Sequence, residues 1–199
     1  MTSEAGLSSK QVRNLLLATQ LVFFTTLVVC VLINHSTIAK NNGISFYGVY
    51  YKTVELLVFG FVVSAIGLWR TSTYFATTDA PRITVVGLRV VAVGLLGLLA
   101  TPYNRGTFFN WTHMSIGVAM ALVQLAMSLR LLLSARTPRT VAGFALQLAG
   151  GLMAAASLPD WHFNYLGPGE TIFEIGFSWC LVEWTYALYA RLGQPRTAR

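Results

Sequence analysis

The sequence predicts an all-α integral membrane protein, a six-transmembrane-helix bundle with the N and C termini cytoplasmic. Three observations predict it. Of 199 residues 55% are apolar and only 11% charged, with a mean hydropathy of +0.61. Ordinary soluble domains carry about 25% charge, so this chain lacks the polar surface to cover itself in water. Six apolar stretches follow one another, each near the roughly 20 residues that a helix needs to cross a bilayer. The basic residues between them fall mostly on one side.

The expected spans are 14–33, 53–69, 83–101, 113–133, 140–158 and 171–190, one membrane domain over 1–199. Six spans leave only short loops and two small tails, with no room for a soluble catalytic domain. Proline supports the segmentation. Pro81 opens the third span and Pro102 follows it; Pro138 opens the fifth and Pro159 follows it; Pro168 precedes the sixth and Pro195 lies in the tail. None interrupts a span, as expected where proline is kept from positions that need an intrahelical N–H. Ser8 with Gln11 resembles a capping box that starts the first helix early.

Orientation follows from the basic residues. Lys10, Arg13, Arg70, Arg82, Arg130, Arg136, Arg139, Arg191, Arg196 and Arg199 fall on one side, and Lys40, Lys52 and Arg105 on the other. That bias places both ends inside. The first span is too long for a signal peptide and no small-residue cleavage site follows it, so it is read as retained. The net charge of +7 sits beside apolar spans in no continuous cluster. It serves orientation and attraction to anionic headgroups rather than nucleic acid. Cys30 and Cys180 are too few for a disulfide framework and are expected to pack in the core.

Small residues four apart recur as Gly60 with Ser64, Gly117 with Ala121, and Gly150 with Ala154 beside Gly151 with Ala155. Such pairs let helix backbones approach closely in lipid, either within one bundle or across the face of a homo-oligomer. Pro81-Arg82 to Pro102 and Pro138-Arg139 to Pro159 share one spacing, and at the same offset Ala92 matches Ala149 and Gly94 matches Gly151. This is either a duplicated hairpin or ordinary punctuation of membrane spans.

Ionisable groups inside spans are costly unless paired or hydrated. Arg89 and Glu183 are expected at matched depth, roughly 10–12 Å from the cytoplasmic side at 1.5 Å per residue, with Gln147 at the same level. A buried ion pair with Gln147 as third partner is the expectation, as a structural clamp or as a proton relay. The outer face gathers His35, His113 and His162 with Glu55, Asp160, Glu170 and Glu174. Glu55, His113 and Glu174 each lie within about a turn of an outer helix end by the expected boundaries. They are expected either to converge on one pocket or merely to anchor helix ends. Histidine with carboxylates suits acid–base chemistry or metal ligation. Yet no two histidines share a helix at ligand spacing, and neither HExxH nor a nucleophile elbow occurs. No metal, cofactor or assigned catalytic residue is therefore expected. Asn34-His35-Ser36 and Asn110-Trp111-Thr112 form glycosylation sequons close to the membrane, and neither is expected to be used.

Ile44-Ser45 with Gly48, the run Gly97-Leu98-Leu99 ending in Pro102, His113 with Gly117, and Gly176, Ser178 and Trp179 together resemble a family of small bacterial six-span proteins of unknown function. That family is distantly allied to DRAM/Sfk-like membrane proteins. The resemblance implies a six-helix bundle with a role in membrane lipid organisation or remodelling, and no catalytic residue. The expectation is a non-enzymatic, multi-pass plasma-membrane bundle that binds lipid or a partner membrane protein through an outer-face polar pocket. The alternatives are an intramembrane enzyme acting on lipid headgroups and a small proton-coupled transporter.

Overall fold

The computed structural model describes residues 9–78, 80–157 and 164–192. Seven α-helices and one 3-10 turn, with no strand, make up the described residues. Helix α1 spans Ser9–Ile33 and is followed by the short α2, Thr37–Asn42. Ser36 caps α2 by accepting the N–H of Ala39 at 3.3 Å, and Gly43 ends it at a positive φ of 73° that suits glycine. The 3-10 turn Ile44–Gly48 leads into α3, Val54–Phe75. Then come α4, Arg82–Ala100; α5, Thr107–Ser134; α6, Pro138–Ala156; and α7, Leu166–Leu192. Four of these, α1, α3, α4 and α5, are long and apolar enough to cross a membrane. Helices α6 and α7 occupy the fifth and sixth stretches but are more polar.

Proline falls where its missing N–H does no harm. Pro81 caps α4, Pro138 sits in the first turn of α6, and Pro168 in the first turn of α7. At α6 the Thr137 side chain accepts the Thr140 N–H while Thr140 returns the bond, closing a capping box. The capping box expected at Ser8, the expected role of Pro159, and the tail around Pro195 lie outside the described residues. Helix ends extend past the expected spans: α1 starts at Ser9, α3 runs to Phe75, α5 starts at Thr107 and α7 at Leu166. Polar first and last turns still bond as helix, though a hydropathy reading stops where the apolar run does.

Glycine contacts fix the topology. Gly60 lies against Thr26 and Gly67 against Thr19, so α3 runs antiparallel to α1. Gly87 and Gly94 meet Met127 and Met120, which sets α4 antiparallel to α5. Helices α6 and α7 make the tightest pair: Gly150 abuts the backbone at Gly169 and Phe173, and Gly176 abuts the backbone of Gln147. Gly60 and Gly150 thus pack inside the bundle, whereas Gly117 faces open space.

The polarity runs inside-out relative to a water-soluble fold. Leu21, Leu32, Phe59, Val118, Leu122, Leu133 and Leu152 are exposed, while Thr19, Thr26, Ser64, Gln124, Gln147 and Thr185 are buried. Apolar surface on this scale needs a partner, and the hydrocarbon of a bilayer supplies one.

Candidate functional site

Two places collect the polar residues singled out by sequence. The first lies at the bundle end that carries the 3-10 turn. His113, on the second turn of α5, bonds through Nδ1 to the Thr101 carbonyl at 2.7 Å and through Nε2 to the Ser45 hydroxyl at 2.6 Å. The carbonyl can only accept, so Nδ1 carries a proton; in the neutral ring Nε2 then accepts from Ser45. Tyr103 packs edge-on against the same imidazole, with centroids 5.9 Å apart. One ring thus ties the 3-10 turn, the end of α4 and the start of α5 together. Beneath it is a notch of about 20 Å³ lined by Ser45, Gly48, Val49, Leu57, Phe61, Leu98, Leu99, Pro102 and His113. Burial raises the neighbouring Tyr103 phenol above its ordinary value.

The 3-10 turn is latched to α7 at this end as well. The Glu170 carboxylate accepts the Ile44 N–H at 2.7 Å and packs on Gly43. The Lys40 ammonium lies 3.7 Å above the Tyr165 ring, and the Tyr47 hydroxyl donates to the Asn34 carbonyl at 3.1 Å.

The second place is the middle of the bundle. Glu174 stands eight residues into α7, about 12 Å from its start at 1.5 Å per residue. Both carboxylate oxygens accept from the Gln124 amide nitrogen of α5 at 3.0 Å. One turn on, the Ser178 hydroxyl donates to the Gln20 amide oxygen of α1 at 2.6 Å. A cavity of about 30 Å³ opens beside Glu174, lined from α1 by Thr19, Gln20 and Phe23 and from α3 by Ser64 and Leu68. Helix α4 adds Val91 and Leu95, α5 adds Met120 and Gln124, and α7 adds Phe177. Gln20 and Ser64 lie near the centres of their helices, so Glu174 is at mid-bundle.

Of the two alternatives for Glu55, His113 and Glu174, convergence on one pocket does not occur. His113 and Glu174 line separate cavities with no residue in common, and Glu55 is exposed on α3. Glu55 precedes Leu57, which is buried, by about 200° of helical rotation at 100° per residue. Glu174 lies deeper than expected because α7 begins at Leu166 rather than 171. His35 is exposed, and His162 and Asp160 fall outside the described residues. No cluster of His, Cys, Asp and Glu able to hold a metal occurs among the described residues.

The expected pairing of Arg89 with Glu183 is also replaced. Arg89 donates from Nε to Ser72 at 3.2 Å and places its guanidinium 5.5 Å from the Trp69 ring, both on α3. Glu183 meets Arg139 of α6 at 3.9 Å, with the arginine 75% exposed, a geometry of small energetic value. Equal depth says nothing about which way a residue faces: α4 packs on α3 and α5, while α7 packs chiefly on α6. Gln147 joins neither residue. It is fully buried against Gly176, with both amide atoms lacking a partner.

No family model, curated protein or solved structure matches this chain. Function therefore has to be argued from these two sites alone. Gln20 and Gln124 are not singled out by sequence, and Ser64 appears there only as a small packing residue. Their signal was present: each is a polar residue at the centre of an otherwise apolar stretch.

Proposed function

We propose that this chain is a non-enzymatic, six-span protein of the plasma membrane, with both termini in the cytoplasm, that binds a membrane lipid around the notch beneath His113. The observation that carries the reading is the apolar lining of that notch, held in shape by His113 through its bonds to the Ser45 hydroxyl and the Thr101 carbonyl. A base that activates Ser45 would make the same two bonds, and the His113→Gln variant separates the two roles. The walls are Leu57, Phe61, Leu98 and Leu99. A methyl-sized apolar group fits a space of that size, with Ser45 and His113 satisfying one another at its edge. Exposed Tyr51, Phe108 and Trp111 lie at the same end and suit the headgroup layer, where amphipathic rings concentrate. Lys40, Lys52 and Arg105 there supply positive charge to an anionic headgroup.

The test is to weigh the intact protein from mild detergent. The parent should retain lipid, and Leu98→Trp, which fills the notch, should release it while keeping helical content and a monodisperse profile. His113→Gln should fold, keep its lipid and complement a deletion strain. A parent that carries no lipid but captures a membrane protein, released by the same Leu98→Trp change, would transfer the notch to a partner protein. A folded His113→Gln protein that fails to complement, with loss of a headgroup-modified lipid from the membrane, would overturn the non-enzymatic reading.

A further inference from the structure

We propose that Glu174 is the charged ligand of an internal site for a small monovalent cation, either sodium or a proton carried on water. Four observations carry it. First, the carboxylate lies at mid-bundle, where an ionisable group without compensation is expensive. Among the described residues its hydrogen-bonding partner there is a neutral amide, that of Gln124. Second, among the described residues no basic side chain lines the cavity, and the ion pair formed joins Arg139 to Glu183 instead. Third, Ser64 is 2% exposed and its hydroxyl has no partner among the described residues, though it stands in the cavity wall with Glu174. A buried hydroxyl left unsatisfied is rare and calls for a ligand. Fourth, Thr19, Gln20, Ser64 and Glu174 bring oxygen-bearing side chains to the wall, while Gln124 turns its amide nitrogen to the carboxylate. Hard cations select such oxygen sets. The cavity of about 30 Å³ holds about two waters, or one ion and one water.

A single positive charge neutralises this site. Among the described residues, Glu170 lies a turn away on the same helix and is occupied by the Ile44 N–H, and the cavity lining from α1, α3, α4 and α5 includes no titratable side chain. The inference is independent of lipid binding, because the cavity and the notch share no lining residue.

The full-length protein in detergent is treated with dicyclohexylcarbodiimide, which adds as a whole to protonated carboxyl groups in apolar surroundings. Fragmentation of the labelled peptide distinguishes Glu174 from Glu170. Glu174 should gain the reagent's mass, and Glu174→Gln should abolish that product. Slower labelling in sodium chloride than in choline chloride of equal ionic strength identifies sodium. Labelling indifferent to sodium that falls as pH rises identifies the proton. Ser64→Ala should move whichever midpoint is found by about tenfold, the scale of one lost contact to a charged group. Labelling at Glu174 that responds to neither sodium nor pH would overturn the proposal. So would a Ser64→Ala protein with the parent's midpoint, or a Glu174 that labels only after unfolding.

Discussion

Three glycine-to-alanine substitutions, at Gly176, Gly97 and Gly117, test the bundle because a methyl group at each meets a different environment. At Gly176 the added carbon falls on the backbone N and Cα of Gln147, which cannot rotate away. At Gly97 it meets the Ile116 Cδ1 at 3.1 Å, the free end of a side chain. At Gly117 nothing lies within 4 Å. Alanine gains about 1 kcal/mol over glycine inside a helix, and overpacking costs about 1–3 kcal/mol, more where the backbone itself must move. Gly117→Ala should therefore stabilise by about 1 kcal/mol and Gly97→Ala should be close to neutral. Gly176→Ala should lose about 2 kcal/mol or more, because α6 and α7 must part and uncover the Gln147 amide. Denaturant titration of the three purified variants in one detergent, followed by circular dichroism, gives the order directly. Equal stability of Gly176→Ala and Gly117→Ala would refute the close approach of α6 and α7.

Two further outcomes concern topology and charge. Cysteines placed at Thr107 and Pro195 should react with an impermeant maleimide from opposite sides of intact cells; reaction of both from one side would end the six-span arrangement. Substituting Arg89 and Glu183 by their neutral counterparts, singly and together, should give additive changes within about 0.5 kcal/mol, as for sites that do not touch. Recovery of stability in the double variant would show that the two charges meet after all.

The helices themselves were legible because apolar runs of span length, punctuated by proline, leave few alternatives. Helix ends were not, and Glu174 shows the cost. Gly167, Pro168 and Gly169 look like breakers, yet in a first turn their weaknesses are harmless, so α7 begins early and Glu174 moves from the headgroup layer to mid-bundle. Facing was invisible too. Depth follows from counting residues, but whether Arg89 points at α3 or α7 depends on which helices are neighbours. Glu55 illustrates the same gap within a single turn, since Leu57 goes inward and Glu55 does not. Of the central site, Glu174 is singled out by sequence, but its partner Gln124 and the neighbouring Gln20 are passed over for charged residues that end elsewhere, and Ser64 is read only as a small residue.

The pairing of α6 with α7 bears on how the chain reaches its final place. These two helices are the more polar ones, yet α6 presents Gly143, Gly150 and Gly151 to its neighbour, and α7 presents Gly169 and Gly176. Either helix alone would offer lipid a glycine-lined groove of bare backbone, with the Gln147 amide lying in it. Together they close that groove against one another. On the six-span arrangement proposed above, α6 and α7 would therefore gain by entering the bilayer together as one hairpin.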